Sequence, residues 1–316
     1  MKKVIYKQFG NANVLEIIET EIPKIIDNEI LIQVKAVSIN PLDWKLFSGS
    51  QKMLSGKNFP KMVGIDFSGI VMKIGNNDTD FKIGDEVFGG VKDPMKEGAL
   101  ADYITINPEH LTLKPKNISF AQATAMTSVG APAIKAFEEQ IKLKKGQKVL
   151  INGASGGVGM IAIQVAKRTN AVVTAVSSTK GLKYTEDWGA DFVVDYKKED
   201  VNKLNKKFDV ILELSGKLTF KQANGIMTPN TVFITLMGAG TMKDLLFGKI
   251  SSLFSKRKFY PMIAPATSSI REKLAKYAEN GLKIHIEKTY SMSEVKTAYA
   301  EIQKKSIIGK AVISMK

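Results

Sequence analysis

The chain has 316 residues, 44% of them apolar and 24% charged, with a formal charge of +15 at pH 7. That length exceeds what a single hydrophobic core usually fills, so two domains are expected. No cysteine is present, which excludes a disulfide framework, a thiol nucleophile and a Cys-ligated zinc.

No run of about 18 uninterrupted apolar residues is available to span a membrane. The chain opens on Met-Lys-Lys and passes straight into Val4-Ile5-Tyr6, without an apolar leader, so a cytoplasmic location is expected. Its lysines are scattered, with short clusters such as Lys203-Lys206-Lys207 and Lys256-Arg257-Lys258 and no interleaved aromatics. That pattern favours solvated charge over a nucleic-acid surface.

Residues 1–118 hold short β-type runs, among them Glu29–Val37, Asp66–Met72 and Asp85–Phe88, set between Gly, Pro, Asn and Asp. Such spacing predicts an all-β, barrel-like unit. Over 119–260 strands and helices alternate, with strands expected at Lys148–Asn152, Ala171–Ser177, Asp191–Asp195, Phe208–Leu214 and Thr231–Leu236. This rhythm predicts parallel βαβ units. In the stretch 245–260, Leu245, Leu246, Phe247, Ile250, Leu253 and Phe254 fall on one helical face. A helix packed on its own domain is favoured there, with a lid over an apolar acceptor tail as the alternative. The chain closes with a helix over Ser269–Asn280, a strand at Ile284-His285-Ile286, a helix over Ser293–Lys304 and a strand at Lys310–Ser314.

The strongest chemical signal follows the strand Lys148–Asn152. It reads Gly153-Ala154-Ser155-Gly156-Gly157-Val158-Gly159 and opens a helix with Ile161, Ala162 and Val165 on its apolar side. Gly156 lets a backbone approach a pyrophosphate, Gly159 permits close helix–strand packing, and the helix N-terminus offers N–H donors. Ala154 stands where the fingerprint's first glycine usually sits. Because strand, turn and helix come in the required order, Ala154, Ser155, Gly156, Gly157 and Val158 are taken as a dinucleotide cradle rather than a bare turn. At the end of the second strand an NAD site usually carries an acid. This chain has Ser177-Ser178-Thr179-Lys180 instead. Hydroxyls and a cation suit a 2′-phosphate, so NADPH is the expected cofactor, with Ser177, Ser178, Lys180 and Tyr196 around that phosphate. Leu214, Met237 and Gly238 follow the fourth and fifth strands, where such sheets bind ligands.

The order of Asn40-Pro41-Leu42-Asp43-Trp44, Gly64-Ile65-Asp66-Phe67-Ser68-Gly69, Phe81–Gly89, the glycine-rich turn and Gly189–Tyr196 resembles the quinone oxidoreductase (zeta-crystallin-like) branch of the medium-chain dehydrogenases/reductases. The resemblance covers nearly the whole chain. It implies an α/β fold in which a Rossmann doubly wound parallel sheet (119–260) is inserted into a GroES-like β-rich catalytic domain (1–118 with 261–316). It implies NADPH-dependent reduction of a quinone or an α,β-unsaturated carbonyl in a cleft between the domains. Asn40 would bind a carbonyl or ribose, Asp43 would orient its neighbours and Trp44 would form an aromatic wall. Lys310, in the family's Gly-Lys ending, would reach a cofactor phosphate or stand as an exposed strand residue. Zinc-dependent relatives place Cys and His where this chain has Asn40 and Ile65, so no metal is expected. Where relatives carry Gly-Leu-Thr this chain has Gly130-Ala131-Pro132, which places a ring early in a helix and removes a hydroxyl that Thr127 or Ser128 could replace. Relatives often form homodimers, and that assembly is left open. A weakly catalytic NADPH-binding regulator and a nucleic-acid role for the basic surface are the rival readings.

Overall fold

In the computed structural model all residues are described except Asp27, Asn77, Asp78, residues 237–241 and Lys316. The chain divides into two compact units, one made of Met1–Ser128 with Ala266–Lys316 and the other of Val129–Pro265.

The first unit is built on a seven-stranded sheet. Its strands run in the order Ile286–Ser291, Lys310–Ser314, Ile30–Ser38, Asp66–Ile74, Glu86–Gly90 and Leu111–Leu113, and Tyr103–Ile106 also pairs with Ile30–Ser38. Alternation of buried and half-buried residues along Ile30–Val34 is the period-two pattern of a strand with one face on a core. The last strand matters most for the site. Lys310–Ser314 pairs antiparallel with Ile30–Ser38, Val312 facing Ser38, so the chain's end returns beside the residues that lead into Asn40. The strand expected at Ile284–Ile286 instead starts at Ile286 and runs to Ser291. It lies at the sheet's edge, and exposed Glu287, Lys288 and Thr289 hide its periodicity. The helix Ser268–Glu279 is tied to this sheet by Arg271. That side chain is 2% exposed, and its guanidinium donates to Thr112 Oγ1 at 3.2 Å and to the Ala266 carbonyl.

The division between the units falls inside the helix Phe120–Ile134 rather than at 118. Several bonds, three of them near the site, fasten the helix's first half to the β-rich unit. Ser68 Oγ donates to the Phe120 carbonyl at 2.7 Å, Ser38 N–H to Thr124 Oγ1 at 3.1 Å and Ser128 Oγ to Asp66 Oδ1 at 2.5 Å. Pro132 lies deep in this helix, not near its start. Proline has no N–H for the Ser128 carbonyl one turn back. The next turn, Lys135–Gln140, is π-helical, and Ile141 N–H reaches Ala136 O at 3.2 Å. A π turn absorbs such an interruption while the helix continues.

The second unit is a six-stranded, all-parallel sheet in the order Phe192–Asp195, Val172–Ser177, Lys148–Asn152, Phe208–Glu213, Met227–Leu236, Lys258–Met262. This is the 3-2-1-4-5-6 order of a doubly wound dinucleotide-binding sheet. The sixth strand was not expected. Pro261 and the preceding basic cluster disguise it, and a proline is tolerated because the strand is at the edge. Phe259 anchors it, stacking on Phe233 at 5.7 Å between ring centroids, with Phe220 edge-on to both at 5.6 and 5.4 Å. The helix Met242–Leu253 packs beside this strand by a face different from the one expected. Of the apolar stripe only Leu245 turns toward the core, while Leu246, Phe247, Ile250, Leu253 and Phe254 are exposed.

Removing the Phe233 ring takes away the stacking partner of the sixth strand. Phe233→Ala is expected to lower unfolding stability by about 3–5 kcal/mol in urea titrations. A loss below about 1 kcal/mol would mean that these rings do not hold the strand.

Candidate cofactor cradle and active-site cluster

In the Rossmann unit the strand Lys148–Asn152 ends in a turn at Gly153, with φ of +86°, before the helix Gly157–Arg168 begins. Gly159 must lack a side chain. A Cβ there would lie 2.3 Å from the Ala154 carbonyl oxygen, which explains why glycine is kept at this point of the fingerprint although Ala154 replaces its first glycine. The helix's N-cap is Gly156, with no side-chain cap, so its first N–H groups have no capping acceptor from that residue. Ser155, Gly156, Gly157 and Val158 are half-buried and Ala154 is fully buried. An uncapped, partly open helix start is an anion site in waiting.

The second strand brings Ser177 to the same place. The Cβ of an alanine at position 181 would meet Ser177 Oγ at 2.1 Å and Ser155 Cβ at 2.6 Å, so Ser155, Ser177 and Gly181 converge. Ser177 is 1% exposed and its Oγ is buried without a hydrogen-bond partner. Ser178 is half-buried, Lys180 is exposed on the 3-10 turn Thr179–Gly181, and Tyr196 is 47% exposed with its N–H bonded to Ser177 O at 3.1 Å. The uncapped helix start, beside which Gly181 lets Ser155 and Ser177 pack closely, fits the phosphates of a dinucleotide. Sequence reasoning missed Asp195, whose Oδ2 accepts from Thr179 Oγ1 at 2.6 Å. That bond fixes the loop after the second strand. At the switch point, Leu214 N–H bonds Asn152 O at 2.9 Å, and the Asn152 carboxamide donates to buried Glu213 at 2.6 Å and to Ser215 at 3.1 Å. Met237 and Gly238 lie outside the described residues.

The β-rich unit carries a second centre. Asn40, Asp43, Asp66 and Lys310 are 5%, 1%, 1% and 3% exposed. Pro41 starts the short helix Pro41–Phe47, a position where its missing N–H costs nothing, and Asp43 reaches back to accept from Asn40 N–H at 2.8 Å. The Lys310 ammonium donates to Asn40 Oδ1 and to the Ile39 carbonyl, both at 2.7 Å. Asn40 Nδ2 in turn donates to Asp66 Oδ2 and Ser38 Oγ, both at 3.0 Å, and Ser38 Oγ donates to Asp66 Oδ2 at 2.9 Å. Tyr299 OH donates to Asp43 Oδ2 at 3.1 Å, which leaves Asp43 Oδ1 buried and unpartnered. Lys310 is therefore neither an exposed strand residue nor extended toward a phosphate; its register opposite Ile30–Ser38 turns it inward. Trp44 is half-buried against the unit's own core. Of the two hydroxyls near Pro132, Thr127 is fully buried and bonded to the Ala123 carbonyl, whereas Ser128 is half-buried and bonded to Asp66.

Burial dominates the electrostatics of this cluster. It pushes the Asp43 carboxyl up to about 7 against the pull of the Asn40 N–H, Lys310 and Tyr299. It also raises Asp66, against Lys310 and its three hydrogen-bond donors. It draws Lys310 down to about 8, against the attraction of Asp66 and Asp43. Two carboxylates and one ammonium do not cancel, and a buried net charge is costly. Retaining one proton makes the cluster neutral.

Two families match the chain. Alcohol dehydrogenase GroES-like domain covers residues 26–116, and Zinc-binding dehydrogenase covers residues 188–313. The 2-methylene-furan-3-one reductase of Solanum lycopersicum is 30% identical across 99% of this chain and 79% of its own length. The chloroplastic NADPH-dependent alkenal/one oxidoreductase of Arabidopsis thaliana is also 30% identical, with the same coverage of both chains. Among solved structures, the quinone oxidoreductase from Coxiella burnetii superposes with a TM-score of 0.89 at 26% identity, over 100% of this chain and 99% of that one.

An acid raised by burial keeps its proton in the fold while the unfolded chain releases it. Between an ordinary carboxyl value near 3.8 and about 7, Asp43 therefore costs the fold more stability as pH rises. Asp43→Asn is expected to gain stability relative to the parent from pH 4 to pH 7, by a few kcal/mol in total. Chemical denaturation across that range reads it; a difference independent of pH would contradict the raised carboxyl.

Proposed function

The chain belongs to the medium-chain dehydrogenase/reductase superfamily, and we propose on that footing that it reduces quinones or α,β-unsaturated carbonyls with NADPH, without zinc. The observation that carries the reading is the cradle of the Rossmann unit. An uncapped helix start, with Ser155, Ser177 and Gly181 packed closely beside it, leaves N–H donors suited to a dinucleotide's phosphates. NADPH, when bound, supplies the hydride.

The helix N–H groups of 157–159 would hold the pyrophosphate, and Ser178, Lys180 and Tyr196 the 2′-phosphate. On the β-rich unit, Ser128 Oγ donates its one proton to Asp66 Oδ1 at 2.5 Å, so it can offer a bound molecule only its lone pairs. Asn40 and Asp43 are committed to Lys310, to each other and to Tyr299, so their part is to set the backbone and the charge around the reaction. The anion left by hydride addition to a quinone or enone is delocalised and can take its proton from water, so a Lewis acid is not needed. The donor set supports zinc independence. Asn40 Oδ1 already accepts from an ammonium at 2.7 Å, Ile65 has no ligating atom, and a cation beside Asn40 repels a dication. Among the described residues no helix is long and apolar enough to cross a membrane.

NADPH is expected to bind at least tenfold more tightly than NADH, a difference of about 1.4 kcal/mol, and Lys180→Glu to weaken NADPH more than NADH. Fluorescence titration of both cofactors, followed by turnover with a panel of quinones and enones, tests this. Equal affinities would sink the cofactor assignment. Tight NADPH binding with no turnover on either acceptor class would sink the reductase assignment.

A further inference from the structure

The helix Met242–Leu253 is held to its unit by its small side. Gly248 is buried there, where an added Cβ would lie 2.7 Å from the Phe259 ring, and Leu245 packs against the same aromatic cluster. The opposite side is apolar and open. Leu246, Phe247, Ile250, Leu253 and the adjoining Phe254 are 62%, 45%, 48%, 80% and 86% exposed. At 100° per residue they share one arc roughly 120° wide. Contiguous exposed apolar surface of this kind marks an interaction site.

The charges around the arc select the occupant. Lys243, Lys249, Lys256 and Lys258 are exposed, and Asp244 is the sole acid from Met242 to Lys258. Arg257 is occupied by Asn224 and the Thr228 carbonyl. A nucleic acid would use the lysines but leave the apolar arc in water. A second copy docked face to face would oppose lysines to lysines. The apolar tail of an acceptor would have no use for a cationic rim. An anionic bilayer uses both features: apolar side chains enter the acyl boundary while lysines remain among the headgroups.

We propose that the helix Met242–Leu253, with Phe254 and the lysines that follow, docks this protein reversibly on anionic lipid surfaces. The inference stands on this surface alone. Joined to the proposed reductase activity, it would bring the protein to the phase in which lipid-soluble quinones dissolve.

The test is co-sedimentation of the full chain with phosphatidylcholine vesicles, with and without phosphatidylglycerol, at low and high salt. Partition onto the phosphatidylglycerol vesicles is expected to be at least tenfold stronger and to weaken with salt. Leu253→Ser with Phe254→Ser, and separately Lys256→Glu with Lys258→Glu, should each reduce it at least tenfold. Both variants should keep the parent's thermal midpoint and its NADPH turnover on a short, water-soluble acceptor. Phe254→Ser alone replaces the double variant if that one loses its fold. Vesicle binding unchanged by these substitutions overturns the proposal. So does a dimer in sedimentation velocity that the serine variant dissociates while the parent ignores vesicles. A rise in KM confined to long-tailed acceptors, without vesicle binding, would assign the face to substrate instead. Loss of activity on the soluble acceptor in parent and variants alike would count against the reductase reading and leave vesicle binding to be judged separately.

Discussion

The contact on which the β-rich unit depends is the ammonium of Lys310 held by Asn40 Oδ1 and the Ile39 carbonyl, both at 2.7 Å. It joins residues 270 positions apart, and it does so in the interior. A buried ammonium is tolerable only if its hydrogen bonds are made and opposing charge is near. Both conditions fix the surroundings. The strand Lys310–Ser314 must lie in register against Ile30–Ser38, Asn40 must turn its carboxamide inward, and Asp66 must stand on the far side of that carboxamide. Removing one partner would leave an uncompensated charge, which in buried pairs typically costs about 3–5 kcal/mol. The C-terminal segment thus completes the unit that the N-terminal segment begins.

That arrangement also accounts for a departure from the metal-binding members of the superfamily. By the family resemblance Asn40 stands where they place a cysteine, and its oxygen here accepts from the Lys310 ammonium. The positive charge comes from the protein's own chain. An ammonium cannot act as a Lewis acid, but it can hold a carboxamide and two carboxyl groups in one geometry. Ser128 is the half-buried hydroxyl attached to this network through Asp66. It stands one turn before Pro132, whose interruption of the helix is taken up by the π turn at Lys135–Gln140.

Local signals made the Rossmann unit legible. Its inner strands read as continuous apolar runs because a parallel sheet is covered on both faces, and the glycine turn sits between strand and helix where backbone approach demands it. The sixth strand was illegible for an equally physical reason: Lys258–Met262 carries a proline that only an edge tolerates, and its anchor is a tertiary stack of Phe259 on Phe233. The apolar stripe of Met242–Leu253 misled because period alone does not say which side faces the protein. Gly248 decides that, by allowing the Phe259 ring to approach. In the β-rich unit Asn40 and Asp43 stood out through the turn before a helix. Ser128 was picked out with Thr127 as a possible hydroxyl, but the partner role of Asp66 and the inward course of Lys310 did not stand out, since they are set by strand register across most of the chain. Glu213 and Asp195 escaped notice likewise, being ordinary strand-end acids until the sheet places them beside Asn152 and Thr179.

The most direct test of this account is the titration of Lys310 itself, followed through its side-chain methylene resonances by NMR with selectively labelled lysine and Lys310→Arg for assignment. A buried ammonium under strong desolvation should titrate near 8 and shift again when Asp66 is replaced by Asn. A midpoint at the ordinary lysine value of 10.5, unmoved by Asp66→Asn, would mean that Lys310 faces water and that the cluster does not exist as described.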